Sequence, residues 1–239
     1  MENLHSPGRG DLEAAPGVSI GQWLHDELEA EVLFEKEGWA LDRVTRVMAR
    51  LNHHRPEGRP LTVVIPWITA ATALTAPGPY IFFYRGLYQL CPDDDVTAFV
   101  IAHEMAHHDL GHLNLVPEWM GRIGQRWGGK VAVIVAAAAA KRLYGPEREC
   151  DADEYALRLC IRAGYDPERC LRLFQILENY FLDQGDVAAV VGTDVESDEE
   201  LEPTATRVTK FRVWAYQRRR GYLPIRDRLF TLRRRTGLD

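Results

Sequence analysis

The chain has 239 residues, and 46% of them are hydrophobic, which is enough for the core of one sizeable domain. The net charge of −6 favours no class of partner, and the first 17 residues lack the apolar stretch of a secretory signal. The longest apolar run, 131–140, is too short to cross a bilayer. The sequence therefore argues against a transmembrane or secreted protein, and we expect a cytoplasmic one.

Residue patterns predict a mainly helical α+β domain with a small β-sheet. Residues 1–18 are rich in Gly, Pro and charge and are expected to be disordered, which leaves 19–239 as a single domain. Short β-branched and aromatic runs predict strands at 61–67 and 80–84. Helical spacing of apolar residues predicts the helices, which are 20–52, 93–110, 117–143, 146–163, 167–183, 206–220 and a shorter one from about 225.

The helix predicted at 93–110 contains the pentapeptide His103-Glu104-Met105-Ala106-His107. Residues four apart share a helix face, so the two imidazoles can bind one metal ion, and Glu104 can reach a water on that ion as a general base. Apolar residues on both sides of the motif favour a buried helix over a solvated, His-rich one. The motif thus predicts a catalytic metal centre.

A third protein ligand is needed for such a centre, with the fourth position left to water. The spacing after His107 does not fit the metzincin pattern, in which a third His follows. Glu149 and Asp153 lie four apart on a later predicted helix. One of them can bind the metal while the other accepts the N–H of a ligating His. Two imidazoles and a carboxylate suit Zn²⁺, although they also accept other divalent ions.

Several segments occur in an order that resembles the HtpX-like and CAAX-prenyl-endopeptidase-type zinc metallopeptidases (metallopeptidase family 48). The segments are 79–87, 100–107, Glu149 with Ala152 and Asp153, and 163–167. The resemblance spans about 60–180 and implies a zincin-like (gluzincin) fold with one zinc ion. It implies zinc ligation by His103, His107 and Glu149, and catalysis by Glu104. It also makes Asp153 the partner of a ligating His and places His112 near the site.

The donor that would stabilise the oxyanion of the tetrahedral intermediate is less clearly specified. Some members of that family carry a His-Pro-Pro-like segment near the C-terminus, whereas all eight His of this chain lie at or before His112. The remaining candidates are Tyr222, Arg207 and Arg228, and the alternative for both arginines is an ordinary surface position.

The expected partner is a protein or peptide substrate, which would pair in extended form with an edge strand, either 61–67 or 80–84. Eleven Lys and Arg against the single acid Asp227 make 207–235 strongly basic. A basic helical segment at 206–235 could bind nucleic acid, but folding back onto the acidic body is the favoured interpretation. The acidic loop 185–203 is expected to be flexible and could cover the cleft.

The sequence thus predicts a zinc metalloendopeptidase. The alternative is a non-catalytic zinc-binding or regulatory protein of peptidase-like fold that acts through its basic C-terminal segment. Glu104 favours the enzyme, because a structural zinc site does not need a carboxylate at that position.

Overall fold

The computed structural model describes residues 20–55, 59–115, 130–183 and 225–238. Within these ranges the protein is mainly helical, with one small sheet. Its helices are α1 (Ile20–Glu31), α2 (Trp39–His54), α3 (Arg85–Leu90), α4 (Asp94–Asp109), a 3₁₀ helix (His112–Leu115), α5 (Lys130–Arg162), α6 (Pro167–Asp183) and α7 (Ile225–Thr236). Its strands are β1 (Thr62–Val64), β2 (Ala73–Thr75) and β3 (Tyr80–Phe83).

The sheet has the strand order β1-β3-β2. β3 runs parallel to β1 and antiparallel to β2, with Phe82 opposite both Val64 and Leu74. The strand predicted at 61–67 is thus an edge strand, and the one predicted at 80–84 is central. The second edge, β2, is a three-residue strand that the sequence analysis missed, because Ala and Thr around Leu74 give no alternating pattern.

Alternate residues of β3 face two separate apolar layers, as the period of two in a strand requires. Ile81 and Phe83 pack into the main core with α2, α4 and α6. Phe82 faces the opposite way and packs with Leu24 and Leu28 of α1. The sheet therefore lies between α1 on one face and the helices that carry the candidate site on the other.

One long helix was predicted at 20–52, and this prediction is wrong because the chain forms two helices there. Between them Phe34 pairs with Pro66 in an isolated β-bridge, and the Glu35 amide donates to the Ile65 carbonyl. Gly38 has φ of 103°, a conformation that side-chain-bearing residues rarely adopt. These backbone contacts to 65–66 interrupt a periodicity that by itself fits one helix.

Helix α4 begins and ends where its sequence indicates. The Asp93 carboxylate caps the N-terminus by accepting from the Val96 amide at 3.0 Å, and Gly111 follows the C-terminus with φ of 69°. At the C-terminal end, Asp109 accepts from Arg55, which directly follows α2, and from the Tyr155 hydroxyl of α5. These bonds fix α4 relative to both neighbouring helices.

Helix α5 consists of two arms, 130–144 and 146–162, which meet at Gly145 with φ of 67°. Pro146 then occupies the first position of the second arm, where its missing N–H costs nothing. The break matches the boundary predicted between 143 and 146, and the second arm packs against α4. The apolar run 131–140 lies in the first arm, and no helix within the described parts of the chain has the length and apolar character needed for a bilayer crossing.

The C-terminal helix α7 packs against α5 and α6 and pairs its arginines with their acids. Arg233 contacts Glu168, Arg235 contacts Asp151, and Arg226 contacts Glu178. For 225–238 this agrees with the favoured interpretation, in which the basic segment folds back onto an acidic surface. The segments predicted as disordered (1–18), as an acidic loop (185–203) and as a helix (206–220) lie outside the described residues.

Candidate active site

Helix α4 places the two motif histidines on one face. The Nε2 atoms of His103 and His107 lie 3.2 Å apart, and the rings meet edge to face with centroids 4.9 Å apart. His107 is 2% exposed, and most of the other residues of α4 are buried as well. The two imidazole nitrogens therefore point towards one place, as the four-residue spacing predicts.

The second arm of α5 brings a carboxylate to the same place. Oε2 of Glu149 lies 3.6 Å from Nε2 of His103, and Oε1 lies 3.6 Å from Nε2 of His107. A tetrahedral zinc ion with bonds of about 2.0–2.1 Å holds its ligand atoms roughly 3.4 Å apart. The three residues thus supply donor atoms of the right type at the right separation for zinc, and they fit such an ion.

Asp153 lies on the far side of His103. Its Oδ1 is 3.0 Å from Nδ1 of the imidazole, and its side chain is fully buried. Burial alone would lower the pKa of His103, but the contacts with Asp153 and Glu149 outweigh it and raise that pKa to about 10. Without a metal the ring is therefore held as an imidazolium between two carboxylates.

His107 has a different partner, His112 of the 3₁₀ helix. The two Nδ1 atoms are 2.9 Å apart, so one ring donates and the other accepts. Burial lowers the pKa of His107 and of His112, and the neighbouring charge of His103 adds to the effect on His107. His112 thus lies near the site, where the sequence analysis placed it, and touches a motif histidine directly.

Glu104 follows His103 along α4 and is 8% exposed. It is one of a few buried acids in the described residues, and it lies one helix step from the face that carries the two imidazoles. The residue proposed as a general base therefore follows a motif histidine on α4 and is largely shielded from solvent.

Arg228 reaches the site from α7, at the other end of the chain. Its Nε and Nη2 donate to the two carboxylate oxygens of Asp153 at 2.9 and 2.7 Å, and its Nη1 lies 3.2 Å from Oε2 of Glu149. Burial would raise the pKa of each carboxyl group, but Arg228 and His103 outweigh burial and lower both pKa values. The two carboxylates also raise the pKa of Arg228 against the effect of its burial.

The contacts of Arg228 argue against this residue as the oxyanion donor. All three guanidinium nitrogens of Arg228 face carboxylates, which favours a role in holding acids over one in stabilising an oxyanion. Tyr222 and Arg207 lie outside the described residues. The oxyanion donor remains a prediction.

One contact beside the motif has no signal in the sequence. Nε2 of His108 forms a short hydrogen bond with the Thr75 hydroxyl of β2, and that hydroxyl donates to the Tyr80 carbonyl at 3.2 Å. Burial, followed by the nearby charge of Arg55, lowers the pKa of His108 to about 4, so this ring is neutral. No residue pattern connects Thr75 with His108, because β2 itself gives no strand signal.

Comparison with known proteins agrees with this geometry. The chain is 25% identical over 116 residues to the mitochondrial metalloendopeptidase OMA1 of Saccharomyces cerevisiae, a match that covers 45% of this chain and 34% of that protein. The chain thus spans about a third of the length of this relative. The model of a peptidase family, M48, matches residues 35–209, well over half of the sequence and all of the cluster just described except Arg228. On the extent of that match, the chain belongs to peptidase family M48.

Proposed function

We propose that this protein is a zinc-dependent metalloendopeptidase with a zincin-like, gluzincin-type site. The observation that carries the proposal is the convergence of His103, His107 and Glu149, whose donor atoms are 3.2–3.6 Å apart. These residues would hold the metal ion. A bound zinc ion would lower the pKa of a water molecule and polarise the scissile carbonyl.

Glu104 is the proposed general base. It takes the proton of the attacking water and later delivers it to the leaving amine, which is the role that a buried carboxylate beside two ligating histidines can fill. A site that binds zinc only for structure has no use for this group. Glu104 therefore favours the enzyme over the non-catalytic alternative.

Asp153 and His112 orient the two ligating imidazoles. Asp153 faces Nδ1 of His103, which keeps the proton on that nitrogen and directs the Nε2 lone pair to the metal. His112 faces Nδ1 of His107 in the same way. Each imidazole is thus fixed in tautomer and in rotation by one neighbour.

The proposed substrate is a protein or peptide bound in extended form along β2. Among the described strands β1 and β2 are both edges, and β2 is the one that runs antiparallel to β3. Thr75 ties it to His108, next to the ligand His107. A peptide added to this edge would receive backbone hydrogen bonds close to the metal site. The predicted edge strand 61–67 lies at the opposite edge of the sheet from β2, and the other predicted edge strand, 80–84, is the central strand.

The non-catalytic alternative, acting through a basic C-terminal segment, gains no support from α7. Arg226, Arg228, Arg233 and Arg235 each contact an acid of α5 or α6, so these four charges are paired within the protein. The basic residues at 207–220 lie outside the described residues. The cytoplasmic location expected from the sequence stays a prediction, which cell fractionation with an epitope-tagged chain tests.

Glu104→Gln tests the enzyme proposal directly. Because Gln cannot accept a proton, we expect cleavage of casein to fall by about 10²- to 10⁴-fold while zinc content stays at the wild-type level. Zinc content is measured by atomic absorption on the same samples. Equal cleavage by the variant and the wild type, or a zinc-loaded wild type that cleaves no protein or peptide tried, would contradict the proposal.

A further inference from the structure

Two acidic side chains of the site repel each other, and the residues proposed to bind the metal do not by themselves offset this repulsion. Glu149 and Asp153 are four apart on one face of α5, and Asp153 is fully buried. Like charges at this spacing repel, and buried carboxylates need partners. The imidazole of His103 faces both acids, with Nδ1 3.0 Å from Asp153 and Nε2 3.6 Å from Glu149, but Nε2 is also the atom proposed to bind the metal.

Arg228 supplies a partner to both carboxylates at once. Its guanidinium binds Asp153 through two nitrogens and meets Glu149 with the third. Among the described lysines and arginines, it is the residue that forms ion pairs with either acid. The guanidinium lies 5.7 Å from the ring centroid of Phe174, which supports it from α6.

We propose that Arg228 is a positioning residue: it holds the proposed ligand Glu149 and the imidazole partner Asp153 in the arrangement that binds the metal, which makes α7 a part of the metal site. The proposal rests on the proposed function only in requiring that the site binds a metal ion. It assigns a role to a residue that the family match at 35–209 does not reach.

The proposed role of Arg228 depends on the planar shape of the guanidinium as well as on its charge. A positive charge beside Glu149 opposes the binding of a cation, so charge alone would make Arg228 harmful to metal affinity. A planar fork can face two carboxylates at once, whereas the single ammonium of Lys is a point charge. Arg228→Lys therefore separates geometry from charge, and Arg228→Gln removes both.

The test measures the zinc affinity of the full chain by competition with a chromophoric chelator. We expect Arg228→Lys and Arg228→Gln each to weaken zinc binding by about 10- to 100-fold, as changes to the partners of metal ligands usually do. Arg226→Gln removes an arginine of the same helix that pairs with Glu178, and Arg234→Gln removes an exposed one. Both controls should bind zinc like the wild type, and the metal-free melting temperatures should be similar throughout.

Three results would overturn the proposal. If Arg228→Lys binds zinc like the wild type and Arg228→Gln binds it more tightly, Arg228 acts through charge alone. If both Arg228 variants are unfolded without metal while both controls fold, Arg228 serves the fold and not the metal site. If the wild-type chain binds no divalent ion, the proposed function fails, and this proposal fails with it.

Discussion

At the scale of the residue, His103 shows that a proposed metal ligand also contacts groups that would not touch the metal. Its Nε2 faces His107 and Glu149, and its Nδ1 faces Asp153. A neutral ring can bind a metal through one nitrogen only if the proton stays on the other. The Asp153 carboxylate lies 3.0 Å from Nδ1, so in the proposed site this buried acid would favour the proton there and leave Nε2 free.

Asp153→Asn therefore should weaken zinc binding, by about 10- to 100-fold. The amide is similar in shape to the carboxylate but is uncharged. It would therefore hold the ring of His103 less firmly and would lose the ion pair with Arg228. Asp151→Asn is the matched control, because Asp151 lies on the same helix and pairs with Arg235 at the surface. Zinc affinity by chelator competition is the measurement, and an Asp153→Asn affinity equal to that of Asp151→Asn would refute the assignment.

At the scale of the element, the proposed position of a peptide substrate depends on how β2 is held next to α4. The hydrogen bond between Thr75 and His108 joins the edge strand to the helix that carries the motif. The Thr75 hydroxyl also donates to Tyr80 of β3. One side chain thus connects an edge strand, a central strand and the proposed catalytic helix.

Thr75→Val keeps the shape of the side chain and removes its hydroxyl. The partly buried His108 then loses a hydrogen-bond partner, and we expect the free energy of unfolding to fall by about 1–3 kcal/mol. If β2 also binds the substrate, KM for a peptide substrate should rise. Thr62→Val, at an exposed position of the opposite edge strand β1, should change neither quantity much. Denaturant unfolding and steady-state kinetics are the measurements, and equal KM values for the two variants would argue against β2 as the substrate edge.

At the scale of the whole molecule, the sequence concentrates its basic residues in one segment, and the part of that segment in α7 pairs with acids of other helices. Residues 207–235 carry eleven basic residues and one acid, and the remainder carries the excess of acid. The ion pairs at Glu168, Asp151 and Glu178 bring α7 onto α5 and α6. Since exposed pairs of this kind contribute little stability individually, the burial of Leu232 also contributes to holding α7.

The burial of neutral histidines gives the whole molecule a pH dependence. The pKa of His108 is about 4 in the folded chain, mainly because burial disfavours its charged form, and near 6.5 in an unfolded one. A base whose pKa is lowered by folding contributes stability above the unfolded pKa and loses it as the pH falls. The metal-free protein should therefore lose stability between about pH 6.5 and pH 4.

His108→Gln should make this loss shallower, since Gln can still donate to Thr75 but does not titrate. The free energy of unfolding in urea, measured across this pH range without metal, checks the prediction. His54→Gln, at an exposed position of α2, is the control and should retain the wild-type slope. A His108→Gln slope equal to that of the wild type would show that other groups account for the pH dependence.

Local sequence was sufficient to predict several structural features of this protein. Helix geometry alone puts residues four apart on one face, so it places His103 beside His107 and Glu149 beside Asp153. The cap at Asp93, the end at Gly111 and the break at Gly145 follow from the preferences of single residues. For these features, the residues that decide the structure are neighbours in the chain, so the pattern contains the information.

Other features were decided only by the tertiary structure. The break between α1 and α2 depends on a bridge from Phe34 to Pro66, and β2 is a strand because β3 offers it a hydrogen-bonding edge. The place of Arg228 depends on α7 packing against α5, which brings it to Asp153 from 75 positions away in the sequence. The sequence by itself thus determined which residues could bind the metal. The tertiary structure decided which residues orient and neutralise them, because contacts between distant segments depend on packing that no local pattern records.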